Sequence, residues 1–183
     1  VIIIGGVAAG MSTAAKLKRA DKEAQITVYE KSKHVSFGAC GLPYFVGNFF
    51  EDSNKMIART VEQFNTSGIT VNIEHEVLNV DTNNKCVTIK NLVNDEVFTD
   101  TYDKLMIATG ASAIIPPIKN VDLKHVYTLK SMEDGHALKE AMQNEELKRV
   151  AIVGAGFIGL EVVEAAKQYG KEVHVFQLND RVL

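Results

Sequence analysis

Tryptophan is absent from this 183-residue sequence, cysteine occurs twice and proline three times. Two cysteines, Cys40 and Cys86, are too few for a disulfide framework, so a packed core must hold the fold, and a thiol singled out here is chemical before it is structural. Positive charge is not in excess: 20 Lys and Arg against 23 Asp and Glu leave a formal charge of −3, with acids between the cations, which argues against nucleic acid as a partner. Long hydrophobic runs are missing too. Stretches such as Val1–Val7 and Leu105–Ala108 fall far short of the roughly 20 residues of a spanning helix, and no basic segment precedes an apolar one as in a signal peptide. These absences predict a protein of the reducing cytoplasm that engages no membrane. There is also no initiator methionine, and Asp180–Leu183 follows a strand with nothing beyond it, so the expectation is a piece of a longer chain.

What is present alternates strand and helix. Val1–Ile4 is apolar and β-branched, breaks into Gly5-Gly6, and is followed by a helix over Ala8–Ala20 with small residues on its early turns. Gln25–Glu30 reads as a second strand, Ser32–Gly47 as a loop entering a helix, and Val61–Ser67 as a short helix stopped by Gly68. Ile69–Val80, Lys85–Leu92 and Glu96–Tyr102 read as an antiparallel meander. Asp103–Ala108 is a further buried strand, Ala111–Lys130 a connection, and Ser131–Asn144 a helix with Glu133 and Asp134 near its start. The opening pattern then returns 149 residues on: strand Val150–Val153, glycine turn Gly154–Gly159, helix Leu160–Tyr169, Gly170 as its cap, and strand Lys171–Leu178. The fold class expected is α/β, a Rossmann-like three-layer fold with an antiparallel β-meander, in two nucleotide-binding units of which the second is incomplete.

The second glycine turn, Gly154-Ala155-Gly156-Phe157-Ile158-Gly159, is a full dinucleotide fingerprint in strand-to-helix context. Its glycines serve the tight turn, the close approach of a pyrophosphate and helix–strand packing, and the helix N-terminus meets the negative charge. Gln177 stands 18 residues after Gly159, where a carboxylate would select NAD by accepting the ribose hydroxyls. NADH and NADPH therefore both stay open. Lys171 and Arg181 are the cations at hand for a 2′-phosphate, although each reads more simply as a solvated surface charge. The first turn, Gly5-Gly6-Val7-Ala8-Ala9-Gly10, has Val7 in place of the middle glycine, yet Glu30 supplies the acid 20 residues after Gly10. Between the two motifs Ser36-Phe37-Gly38-Ala39-Cys40-Gly41-Leu42-Pro43-Tyr44 sets a thiol among short side chains near the start of an expected helix. By composition alone, a lone cysteine is most often an inert apolar residue, and Cys86, in the meander, reads as core.

VIIIGGVAAG, Glu30 closing QITVYE, SFGACGLPY, His75–Val77, IATG at Ile107–Gly110 and VGAGFIGLE at Val153–Glu161 run in order through the whole sequence. Together they resemble the flavin-dependent pyridine nucleotide-disulfide oxidoreductases, in particular the single-cysteine branch of coenzyme A-disulfide reductases, NADH oxidases and NADH peroxidases. The resemblance implies FAD bound through Gly5, Gly6, Val7, Ala8, Ala9, Gly10, Glu30 and Lys31, with backbone help from Val77, Ala108, Thr109 and Gly110. It implies NADH or NADPH on Gly154, Gly156, Phe157, Ile158 and Gly159, with Phe157 and Glu161 near the flavin face, and no metal. Cys40 becomes the catalytic sulfur. Relatives with two redox cysteines space them five apart, and Phe45 occupies that place here, so Cys40 would cycle as a mixed disulfide, persulfide or sulfenic acid.

The oxidase and peroxidase members carry a His in the first glycine loop, where this sequence has Ala8. GGVAAG with GLPY instead resembles the coenzyme A-disulfide and persulfide reductases, in which Ser12, Lys16, Arg19 and Ser36 would approach coenzyme A. Ala39 departs from the Asn common just before that cysteine, and His34 and Tyr44 read as structural. The expectation is a reductase of coenzyme A disulfide or a related small disulfide or persulfide. NADH oxidase or peroxidase activity is the alternative, and an inactive nucleotide-binding fragment a third reading. Residues 1–110 would be the FAD-binding unit, 111–148 a connection and 149–183 the start of the NAD(P)-binding domain, in an enzyme that is a homodimer when complete.

Overall fold

The computed structural model describes residues 1–182; Leu183, the last residue of the expected second unit, lies outside it. In chain order the elements are β1 (Ile2–Ile4), α1 (Ala8–Ala20), β2 (Thr27–Glu30), α2 (Leu42–Val46), α3 (Val61–Thr66), β3 (Thr70–Ile73), β4 (His75–Asp81), β5 (Cys86–Asn91), β6 (Val97–Thr101), β7 (Leu105–Ile107), α4 (Met132–Gln143), β8 (Arg149–Val153), α5 (Phe157–Gln168) and β9 (Glu172–Phe176). Two single-turn 3₁₀ helices, Ala39–Gly41 and Ser53–Met56, flank α2. No helix among the described residues is long and apolar enough to cross a membrane. The chain divides into two units: Val1–Gly38 with Ile57–Ala111, and Ala39–Met56 with Ser112 onward.

The first unit is built on a parallel sheet of order β3-β2-β1-β7, in register Ile3↔Val28 and Ile3↔Met106. Strand alternation sends Ile3, Val28 and Val71 into one cluster with Met11 and Ala14 of α1 and Phe64 of α3. Ile2, Ile4 and Tyr29 face the opposite way, onto Val87 and Ile89 of the antiparallel β4-β5-β6 meander. Helices, parallel sheet and meander are thus three layers, as expected from the sequence. Tyr29 is buried, and its hydroxyl donates to Asp100 Oδ2 at 2.9 Å, tying meander to sheet; burial and that carboxylate push its pKa above the ordinary tyrosine value.

One expected strand is in fact two. Ile69–Val80, read as part of the meander, splits at Glu74, whose φ of 56° is left-handed. The residues before the split pair parallel to β2 and those after it pair antiparallel to β5. The Glu74 N–H donates to the Ser32 carbonyl at 3.1 Å, which fixes the corner. No Gly, Pro or Asn marks it, so the alternating pattern runs straight through. α5 also begins three residues before the expected Leu160, because the glycine turn passes directly into helix.

In the second unit β8 and β9 pair in parallel, and Ile152 packs with Val162, Ala165 and Ala166 of α5 and with Leu138 and Met142 of α4. Val46 of α2 joins the same cluster. Residues 39–56 therefore pack with residues beyond 111. Their apolar side chains Leu42, Phe45 and Val46 are buried there, and Gly135 on α4 leaves room for Leu42.

Candidate functional site

β1 is flanked by β2 on one side and β7 on the other, so the chain leaves it in one direction and returns on the opposite side. The carboxyl ends of such neighbouring strands open a crevice suited to a ligand. Gly5, Gly6, Val7, Ala8, Ala9 and Gly10 follow β1 there, and Ala108, Thr109 and Gly110 follow β7. Gly5 has φ 103° and donates its N–H to the Tyr29 carbonyl at 2.8 Å. A Cβ on Gly10 would run into the Gly5 carbonyl, so glycine there permits the close packing of helix on strand. Glu30 is 7% exposed, and both of its oxygens accept backbone N–H groups, from Gly6 at 2.6 Å and Ser32 at 2.8 Å. The acid the sequence singled out thus braces the glycine loop. Lys31 beside it is exposed, and Val77 lies on β4 just before a register shift, its side chain against the meander core.

The second loop repeats this geometry within its own unit. Gly154 also has φ 103°, its N–H donates to the Phe176 carbonyl at 2.8 Å, and a Cβ on Gly159 would strike the Gly154 carbonyl. The Ala155 N–H, counterpart of the Gly6 N–H, is taken by Gln177 Oε1 at 3.0 Å, while Gln177 Nε2 donates to the Arg181 carbonyl at 3.0 Å. Ala155, Gly156, Gln177 and Arg181 line an open cleft of about 670 Å³. A Cβ on Gly156 would meet nothing within 4 Å, so the loop offers free space where a pyrophosphate would lie. Phe157 and Ile158 are exposed and Glu161 is half-buried on the first turns of α5. Lys171 requires correction: it is 5% exposed and its ammonium donates to the Asn144 carbonyl at 2.6 Å, so it is neither a solvated cation nor a phosphate partner. The left-handed Gly170, φ 67°, turns the chain inward at that point.

The four longer helix starts differ in a telling way. α3 and α4 carry complete capping boxes, Thr60 with Gln63 and Ser131 with Asp134. α1 and α5 start at Val7 and Gly156 with no side-chain cap. Their first N–H groups remain available to an anion, with the positive end of the helix dipole behind them. The residues present therefore fit a dinucleotide at each loop.

Cys40 is an exposed free thiol on the single 3₁₀ turn that leads into α2; Phe45, five residues on, is buried, and Cys86 is half-buried on β5. Tyr44 is exposed and stacks edge-on with Phe49. Ser36 belongs to the first unit. Its φ is 52°, its N–H donates to the Gly6 carbonyl at 2.9 Å and its carbonyl accepts from Ala58 at 2.8 Å, so it is strapped to the first glycine loop. Ser12, Lys16 and Arg19 lie on the exposed side of α1. Of these only Arg19 lines an open cleft of about 550 Å³, together with Lys18, Lys22, Arg59 and Ser67. Lys18 is committed to the carbonyls of Lys22 and Ala24, at 2.7 and 2.9 Å, and Arg59 lies 4.4 Å from the Phe64 ring centroid. Lys22 and Arg59, 37 residues apart, carry no common motif; only the fold brings them together.

Residues 1–183 match the family described as Pyridine nucleotide-disulphide oxidoreductase, and the chain belongs to that family of oxidoreductases, which work with FAD and a nicotinamide dinucleotide. Coenzyme A disulfide reductase of Staphylococcus haemolyticus (strain JCSC1435) is 34% identical over 183 residues, covering 100% of this chain and 41% of that protein. NADH oxidase of Enterococcus faecalis (strain ATCC 700802 / V583) is also 34% identical, with the same 100% and 41% coverage. The structure of an NAD-dependent persulfide reductase from A. fulgidus superposes with a TM-score of 0.94 at 39% identity, over 99% of this chain and 34% of that one. The chain thus spans about two fifths of the length of the curated relatives it matches.

Proposed function

We propose that this chain belongs to an FAD-dependent, NAD(P)H-consuming reductase whose Cys40 attacks a small disulfide, coenzyme A disulfide or a related disulfide or persulfide. The observation that carries the reading is an exposed free thiol, with no second cysteine in its turn, in a chain that also holds two uncapped glycine-loop helices. Gly5–Gly10, Glu30, Lys31, Val77 and Ala108–Gly110 would hold the flavin, and Gly154–Gly159, Glu161 and Gln177 the nicotinamide dinucleotide.

Cys40, as thiolate, attacks one sulfur of the disulfide; the S–S bond breaks, one thiolate leaves and takes a proton, and the other half stays on Cys40 as a mixed disulfide. The flavin, when bound, supplies the two-electron relay from the nicotinamide that returns Cys40 to the thiol. The balance is one disulfide, one NAD(P)H and one proton giving two thiols and NAD(P)⁺. Ser12, Lys16 and Arg19 on the exposed side of α1 and Ser36, whose backbone is bonded to the first glycine loop, are the residues that would meet coenzyme A. Gln177 brings no carboxylate against a 2′-phosphate, so NADPH is admitted beside NADH. We place the complete enzyme in the cytoplasm as a homodimer on the strength of the family alone.

Stopped-flow mixing tests the reading. The flavin-loaded enzyme, reduced with NAD(P)H, should reoxidise on mixing with coenzyme A disulfide, and the Cys40→Ser variant should not; equal rates would overturn the proposal. Rapid oxygen consumption with coenzyme A disulfide ignored would favour the NADH oxidase reading, against which Ala8 weighs because its methyl group can pass no proton.

A further inference from the structure

The turn that carries Cys40 is too short to hold itself in place. α2 has five residues, far below the length at which a helix persists alone in water, and while Gly47, Asn48 and Phe49 N–H groups take the Pro43, Phe45 and Tyr44 carbonyls, the Val46 carbonyl is taken by a side chain from far along the chain. Two side chains from late in the chain, both in the same unit, take up carbonyls at this end. The Tyr169 hydroxyl, just past the end of α5, donates to the Val46 carbonyl at 2.9 Å. The Lys139 ammonium, on α4 and only 8% exposed, donates to the Phe50 carbonyl at 3.3 Å and lies 4.2 Å from the centroid of the Phe45 ring.

Lys139 is buried at this contact and Tyr169 is half-buried. Burial lowers the Lys139 pKa, with the Glu51 charge opposing, and burial raises that of Tyr169. Burying a cation with a carbonyl and a ring for company is costly unless the contacts repay it. Two glycines bring the pieces together: a Cβ on Gly135 would press on Leu42 Cδ2 at 2.8 Å, and one on Gly47 would sit 3.1 Å from Ala165 Cα. Beyond the local turn that follows it, in which Gly47, Asn48 and Phe49 N–H groups donate to the Pro43, Phe45 and Tyr44 carbonyls, α2 is fastened by α4 and α5, and α5 is the helix that starts at the second glycine loop.

We propose that Tyr169 and Lys139 are positioning residues for Cys40, fastening the turn that bears the sulfur to α5 and α4. The inference rests on Cys40 as the reacting sulfur. Its test uses the flavin-loaded enzyme with Tyr169→Phe, which keeps the ring, and Lys139→Met, which keeps the stem. Alkylation of Cys40 by iodoacetamide, followed on its own peptide by mass spectrometry, should be faster by about two- to tenfold in each variant, the range of one hydrogen bond. Reoxidation by disulfide should slow by a similar factor, while flavin reduction by NAD(P)H stays at the parent rate; general loosening of the fold would slow reduction as well. Lys139→Arg should restore both rates in part. Alkylation rates unchanged or lowered in both variants would overturn the proposal. Because alkylation needs no turnover, it judges positioning separately: if disulfide is not reduced by the parent enzyme, the functional reading fails and the alkylation result still stands.

Discussion

In both glycine loops the first glycine sits at φ 103°, the third underlies the first one's carbonyl, and the helix begins without a cap. In the first loop the N–H after that glycine goes to the Glu30 carboxylate at 2.6 Å; in the second it goes to the Gln177 amide at 3.0 Å. Steric demands thus set the same backbone twice, while the charge of the closing side chain varies independently. A carboxylate makes the closing side of the first loop negative. An amide leaves the second neutral, with Arg181 on the same cleft.

The largest effect should come from the shared backbone. Gly10→Ala drives a Cβ into the Gly5 carbonyl and should give protein that holds no flavin, seen as loss of its visible absorbance. Gly156→Ala, facing open space at φ −77°, should cost under about 0.5 kcal/mol in urea unfolding, as surface changes do, and weaken only dinucleotide binding. The closing side chains come next. Glu30→Gln loses charge-assisted bonds to two N–H groups and should cost about 1.5–3 kcal/mol of stability. Gln177→Glu should shift the ratio of kcat/KM for NADH over NADPH by about tenfold or more, since a carboxylate near a 2′-phosphate is a like-charge pair worth more than 1.4 kcal/mol at an effective dielectric near 20. An unchanged ratio would break the contrast between the loops.

Alkali should act on Tyr29 and on Lys139 with opposite sign, Tyr169 adding to the Tyr29 side. Tyr29 has its pKa raised in the folded state, so its contribution is whole below pH 10 and is lost as pH rises further. Lys139 has its pKa lowered, so the folded state binds fewer protons just below 10.5, and its penalty is relieved as pH rises toward that value. Tyr29→Phe should flatten the alkaline fall in urea unfolding, and Lys139→Met should remove the opposing rise. A capped helix should affect stability alone: Ser131→Ala should cost about 1 kcal/mol and leave both nucleotide affinities alone, because its box serves only α4.

Much of this arrangement is legible in the residues. β-branched strands running into glycine, small residues on the first helical turns and the 149-residue echo announce both loops, because those features are local and steric. What escaped is of longer range. Glu74 turns a corner with a residue that carries no turn signal, and Lys171 is buried on Asn144, 27 residues away. The packing of 39–56 on α4 and α5 joins residues such as Val46 and Tyr169, 123 apart in sequence, through one hydroxyl that no motif marks. The cationic cleft likewise needs the fold to set Arg59 beside Arg19 and Lys22.

The central claim, that Cys40 is the sulfur that takes half of a disulfide, is tested most directly by counting thiols with and without reductant. Coenzyme A disulfide added to the reduced, desalted enzyme should release one thiol per chain and add one coenzyme A to the Cys40 peptide; with NAD(P)H present, two thiols should appear per disulfide. No adduct on Cys40, or the same release from the Cys40→Ser variant, would contradict the account.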